Sequence, residues 1–193
     1  MESIIKEIYK DISLEQYELK SIHEKLEKVT LEKGDYLLKS GEVVKDIFYI
    51  HSGCLRTYFL DSDGKEHTLQ FAIKDWWISD YIALYGKANS RAVSYIECIQ
   101  KATLLKISKN DFDLLCMEIP KVSQFYIKKM ESAFAAFHQR ILGNLTLSAK
   151  ERYLIFIKTY PDIEQSVKNY HIASFLGITT ESLSRIRREI ATQ

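Results

Sequence analysis

The chain has 193 residues, 46% of them hydrophobic and 27% charged, with a formal charge of +1. That length can bury a real core in one large or two small domains, and the near-neutral balance excludes nucleic-acid binding driven by net charge alone. No apolar run approaches the roughly 20 residues a membrane span needs, and the charged N-terminus MESIIKEIYKDIS is unlike a secretory signal.

Three widely spaced cysteines, Cys54, Cys98 and Cys116, form neither a CxxC pair nor an iron–sulfur run. They are expected as buried thiols in a reducing, cytoplasmic compartment.

Residues 2–27 carry helical apolar marks (Ile4, Ile5, Ile8, Leu19, Ile22, Leu26) with a break near Asp11–Ser13. Ser13 with Gln16 has capping-box spacing for the second helix. From Val29 to Ser108 the texture changes to short β-rich runs (IFYI, CLRTYFL, HTLQFAI, SYIECIQ, TLLKIS), cut by glycine and aspartate turns that include Ser52-Gly53. In HTLQFAI, Leu69, Phe71 and Ile73 alternate as an inward face requires. Many short strands with frequent turns predict an antiparallel sandwich or barrel, with a jelly roll the expected form.

One long interruption, Asp75 to Val93, is the candidate effector cradle. There Trp76 and Trp77 suit stacking on a planar ligand or simply filling a core. Ser79 is placed to cap a short helix from Asp80, and Arg91 to meet a phosphate or to stand as a solvated loop residue.

Helical periodicity returns after Asn110. A long helix from Val122 to about Leu145, with Pro120 in its first turn, carries Val122, Tyr126, Met130, Ala133, Phe137 and Ile141 at three- and four-residue steps. Such a seam suits pairing with an identical helix across a two-fold axis, or packing on the chain's own β domain. The first is expected, because a connecting helix has few surfaces on which to hide so many aromatics. Gly143-Asn144 reads as a hinge. Beyond it Ser148 caps a helix running to Thr159, and Gln165–Lys168 is a short strand or loop.

The C-terminal stretch KNYHIASFLGITTESLSRIRREI carries the sharpest pattern. Ile172, Ala173 and Leu176 give one helix an apolar face, Gly177 permits a sharp stop, and Leu183 and Ile186 mark the inner face of a second helix capped by Thr179 or Thr180. Thr180, Glu181, Ser184, Arg185 and Arg188 then point outward, as a helix-turn-helix recognition helix requires. Base contacts are expected from Thr180, Glu181, Ser184 and Arg185, and phosphate contacts from Lys168, Tyr170, Ser182, Arg187 and Arg188. The bland alternative is a surface hairpin in which Glu181 and Arg185 form an i,i+4 ion pair.

The order of parts, KGDYLLKSGEVVKDIFYIHSGCLRTYFLDSDGKEHTLQF, a long helix, LSAKERY and IASFLGITTESLSRIRREI, resembles the Crp/Fnr transcription regulators over nearly the whole chain. The resemblance implies an α+β architecture: an N-terminal cyclic-nucleotide-binding-like jelly roll (1–118), a dimerisation helix (119–145) and a C-terminal winged helix-turn-helix domain (146–193). It also implies a homodimer reading a near-palindromic double-stranded DNA operator. Glu181 and Arg185 match the family's acidic and arginine base-contacting positions, while Thr180 stands where many members have a further arginine. Any wing is expected ahead of the helix pair, around Ile163–Val167.

Asp75–Val93 has neither the Gly-Glu turn nor the Arg-Ser or Arg-Thr pair of members that bind cyclic AMP; Arg91-Ala92 is an incomplete match. A small-molecule effector, if used, is therefore not expected to be cyclic AMP. No cofactor is implied, and the family's cysteine cluster is missing. A cupin-like metal enzyme would need a histidine–carboxylate cluster that His51 and His67, the β-region histidines, do not provide. A protein-interaction module using the same outward charges is the other alternative. An enzyme is not expected.

Overall fold

The computed structural model describes residues 1–87 and 90–192; Ala88 and Asn89, within the expected cradle, lie outside the described residues. The chain divides into two compact units, one of Met1–Thr57 with Phe71–Glu131 and one of Tyr58–Gln70 with the chain from Ser132.

The first unit opens with helices α1 (Glu2–Ile8) and α2 (Gln16–Lys25). The capping box of α2 is made by Glu15 and Glu18, not Ser13 and Gln16: the Glu15 N–H donates to Glu18 Oε2 at 2.7 Å. Two carboxylates suit this position because the helix N-terminus favours negative charge. A six-stranded sheet follows in the order β1-β6-β3-β4, with β2 on β6 and β5 on β3. Its strands are β1 (Glu27–Leu31), β2 (Tyr36–Leu38), β3 (Asp46–Leu60), β4 (Glu66–Ala72), β5 (Trp77–Ile78) and β6 (Tyr95–Ser108).

Two sequence expectations give way here. IFYI and CLRTYFL are one strand, since β3 runs straight through Ser52-Gly53, where Gly53 takes φ +90°. SYIECIQ and TLLKIS likewise join as β6, which pairs antiparallel with β1 from Glu27↔Lys106 to Leu31↔Ala102. In β4, Thr68 is buried and Leu69 exposed, the reverse of the expected alternation at that point, while Phe71 is fully buried as expected.

One face of the strands joins Ile50, Leu55, Ala72, Ile78, Ile96, Cys98, Ala102 and Leu104 in a core. A second core lies under α1, α2, helix α4 (Lys109–Glu118) and the start of helix α5 (Pro120–Thr146). Burial pushes the Cys54 thiol up to about 12 and Cys98 up to about 11, so neither is a thiolate at neutral pH.

The second unit holds the β3–β4 hairpin tip, the C-terminal half of α5 and four further helices: α6 (Ala149–Thr159), α7 (Pro161–Ser166), α8 (Asn169–Leu176) and α9 (Thr180–Ala191). Ser148 caps α6 with Glu151 in a reciprocal capping box. Gly143-Asn144 is not a break, since α5 continues unbroken to Thr146. Glycine lowers helix propensity by about 1 kcal/mol without stopping a helix that neighbours hold. Of the stretch expected as a short strand or loop, or as a wing, the part up to Ser166 belongs to α7, begun by Pro161 in its first turn, and Val167 and Lys168 link it to α8.

The expected dimer seam divides. Val122 is fully buried, Tyr126 is 8% exposed and Met130 packs against them, all within the first unit's own core. Ala133, Phe137 and Ile141 are exposed, and Ile127, Phe134 and Leu145 join them on the surface. A helix that starts on a sheet spends its first turns on that sheet, which the apolar spacing alone does not reveal.

Candidate functional site

Helix α8 ends at Gly177, whose φ of 67° and ψ of 34° are left-handed. The Ile178 N–H then donates to Ala173 O at 3.0 Å, closing the helix end. Two residues later Thr179 caps α9 by accepting from the Ser182 N–H at 3.2 Å. Ile172, Ala173, Leu176, Leu183 and Ile186 are all buried, so the two helices cross through the residues whose spacing foretold it. This is a helix-turn-helix arrangement with α9 as the presented helix.

The outer face of α9 carries Glu181, Ser184, Arg185 and Arg188, all exposed, with Thr180 partly covered. Its own backbone N–H and the hydroxyls of Thr179 and Thr180 hold the Glu181 carboxyl below its usual range, so it is an acceptor at neutral pH. Glu181 and Arg185 form no ion pair; Thr180 Oγ1 donates to Glu181 Oε1 at 3.1 Å instead. Arg185 has no hydrogen bond or ion pair among the described residues, which leaves its guanidinium fork open to a ligand.

Of the expected phosphate contacts, Lys168, Tyr170 and Arg188 lie exposed, with the Lys168 ammonium 5.6 Å from the Tyr170 ring centre. Ser182 sits in the cap, its hydroxyl 3.2 Å from Thr179 Oγ1. Arg187 has an internal task that the sequence reading missed. Its Nε donates to Tyr153 Oη at 3.0 Å, Nη1 to Asn169 Oδ1 at 2.6 Å, and Nη2 meets Glu164 Oε1 at 2.8 Å. Tyr153 Oη also donates to Glu164 Oε1 at 2.8 Å, so one guanidinium ties α9 to α6, α7 and α8. A second missed residue is Ser174, whose hydroxyl accepts from the Thr68 N–H and donates to Glu66 O, each at 2.9 Å. That pairing joins residues more than 100 positions apart, and no local signal announces it.

The effector candidates part company. Trp77 is buried, with ring centres 5.4 Å from Tyr49 and 5.5 Å from Tyr126, and Trp76 packs on the sheet core. Asp80 caps helix α3 (Tyr81–Leu84) by accepting from the Ala83 N–H at 3.1 Å, a task expected of Ser79. It also accepts from the Val93 and Ser94 N–H groups and the Ser94 hydroxyl, at 2.7 to 3.0 Å. Arg91 Nη1 donates to Gly41 O at 2.8 Å. Ser79 alone of the five lines a nearby cavity of about 210 Å³, alongside Leu38, Glu42, Lys45, Asp46 and Phe48. No helix among the described residues is long and apolar enough to cross a membrane.

The family model for the cyclic nucleotide-binding domain matches residues 28–118. The chain is 25% identical over 170 residues to electron transport regulator A of Shewanella oneidensis, covering 82% of this chain and 66% of that protein. It is 24% identical over 186 residues to the anaerobic regulatory protein of Haemophilus influenzae, covering 90% and 71%. Among solved structures, a c-di-GMP responsive global regulator of Xanthomonas campestris has the same fold (TM-score 0.73, 10% identity, 92% of each chain). FixK2 of Bradyrhizobium japonicum does too (TM-score 0.72, 15% identity, 87% and 85%).

A nucleotide-binding-type sheet followed by a long helix and a helix-turn-helix pair defines a class of regulator rather than of enzyme, and both curated relatives are regulators. The chain is thus similar in sequence to these regulators and shares its fold with solved structures that include a regulator of the Crp/Fnr family.

Proposed function

We propose that the chain is a transcription regulator of the Crp/Fnr type, a homodimer that reads a near-palindromic DNA operator with α9 of each subunit in a major groove. One observation carries the reading: α9 buries its inner face through Leu183 and Ile186 while Glu181, Ser184, Arg185 and Arg188 stand exposed on the other. A carboxylate can accept from cytosine N4, and a guanidinium can hold guanine O6 and N7 through two parallel bonds. Lys168, Tyr170 and Arg188 supply phosphate contacts, with the base contacts drawn from Thr180, Glu181, Ser184 and Arg185. Arg187 supports α9 from within. The seam is the exposed part of α5, with Phe134, Phe137, Ile141 and Leu145 meeting their two-fold copies and setting half-sites roughly 34 Å apart.

The test is selection of bound sequences from a random DNA pool by the purified protein. Recovery of a two-fold symmetric motif is expected. Arg185→Ala should weaken binding to that motif by about 1 to 3 kcal/mol and relax selection at one position per half-site. A uniform loss on every sequence would make Arg185 a phosphate contact, and no enrichment would remove the operator reading.

The sensor domain is not a cyclic AMP site. The cavity beside Ser79, at about 210 Å³, is smaller than the roughly 300 to 1,000 Å³ usual for ligand sites, and among its charged lining the carboxylates of Glu42 and Asp46 outnumber the one cation, Lys45. Calorimetry with micromolar cyclic AMP should show no saturable heat. A one-to-one isotherm would overturn this.

A further inference from the structure

A recess of the second unit has no part in the proposed reading of DNA. It is a cavity of about 350 Å³ bounded by the C-terminal turns of α5, by α6 and by α8, with Arg140, Gly143, Arg152, Phe156, Tyr160 and Phe175 in its lining. Phe156, Tyr160 and Phe175 form a continuous aromatic wall, with ring centres 5.4 to 6.0 Å apart. The Arg140 guanidinium lies over Phe175 at 4.9 Å and over Phe137 at 5.0 Å.

Neither arginine has an ion-pair partner among the described residues. Arg152 donates from Nη1 to Leu147 O at 2.8 Å, but its buried Nε has no partner there. Burial works against the Arg140 charge, and its one opposing neighbour is the Tyr160 phenol. Two cations held in a largely apolar recess without a carboxylate are costly, and an anion entering it would offset that cost.

We infer that this recess is a binding site for a small aromatic carboxylic acid. Its carboxylate would accept from Arg140 and from Arg152 Nε, and its ring would lie against Phe156 and Phe175. A carboxylate fits better than a phosphate because a single charge is cheaper to move into apolar surroundings, and the aromatic wall favours a planar body.

The recess and the seam adjoin at one residue. At 3.6 residues per turn, Arg140 and Gly143 lie roughly 150° around α5 from Phe134, Ile141 and Leu145, whereas Phe137 has the Arg140 guanidinium over its ring at 5.0 Å. A dimer formed through Phe134, Ile141 and Leu145 leaves the Gly143 side of the recess open. Because it is framed by α6 and α8, an occupant would stiffen the base on which α9 stands.

The full chain, without DNA, should be titrated with indole-3-acetate and with its neutral counterpart indole-3-acetamide by calorimetry. One acid per chain is expected to bind saturably, with the amide at least tenfold weaker. Arg140→Gln and, separately, Arg152→Met should each weaken the acid about tenfold and narrow the gap to the amide; circular dichroism checks that each variant folds. If either fails to fold, the acid–amide comparison on the unaltered protein decides. No saturation by the acid, equal binding of acid and amide, or equal competition by inorganic phosphate would overturn the assignment. Because no DNA is present, this result stands apart from the operator reading.

Discussion

Phe134→Glu is expected to leave each chain folded and to separate the dimer. Phe134 is 64% exposed, and its ring contact is with His138 one turn along the same helix, 4.2 Å between centres. Replacing a side chain so exposed changes the stability of the single chain by about 0.5 kcal/mol or less, and glutamate is a good helix former. In a two-fold dimer through the exposed part of α5, each substitution enters the interface twice and sets two carboxylates where two aromatic rings met. Burying unpaired charge and losing the aromatic contact together cost several kcal/mol. About 3 kcal/mol already weakens dimerisation more than 100-fold.

Sedimentation equilibrium should find a dimer for the unaltered protein and a monomer for the variant, with the same thermal unfolding for both once protein concentration is matched. Operator affinity should fall by a similar factor, since a monomer presents one α9 to two half-sites. A variant that remains dimeric would place the contact elsewhere. Unaltered operator affinity in a monomer would show that one subunit suffices.

The sequence made the C-terminal helix pair legible because every needed signal is local: apolar spacing, a glycine stop, a threonine cap and outward charge fall within about two dozen residues. The Ser148 cap of α6 is readable for the same reason. What escaped was set by distant partners. Arg187 looks like any basic residue of a recognition helix until Tyr153, Glu164 and Asn169 close around it. The apolar steps of α5 are uniform, yet its first turns are consumed by Trp77 and Phe112 against Tyr126 while later turns are bare. Trp76, Trp77 and Asp80 cluster in sequence as a cradle would, but Asp80 spends its acceptor capacity on the backbone of its own loop. Ser52-Gly53 has turn composition, and only the strand opposite explains why the chain continues straight.

Gly53→Ala is expected to be the most damaging single substitution in the sensor domain. Gly53 has φ +90° within β3, a region that costs an L side chain about 1 to 2 kcal/mol. A methyl group there would also stand 2.3 Å from Lys101 O and 2.6 Å from Ala102 Cα, both backbone atoms of β6. Backbone cannot swing aside as a lysine tip can, so β3 and β6 must separate at a point where Ala102 is itself buried in the core. Overpacking of this kind adds about 1 to 3 kcal/mol, for a total of about 3 to 4 kcal/mol after the smaller gain from a stiffer unfolded chain.

Gly34→Ala provides the control, because Gly34 has a similar φ of +95° with nothing within 4 Å of the added methyl. Urea unfolding followed by tryptophan fluorescence, which reports Trp76 and Trp77 in the same unit, should show Gly34→Ala losing about 1 to 2 kcal/mol and Gly53→Ala about twice that. The difference between the two measures the steric part alone, since the backbone penalty is common to both. Equal losses would mean that β6 yields to the methyl, and the close crossing of β3 and β6 would then be a consequence of glycine at this position rather than the reason for it.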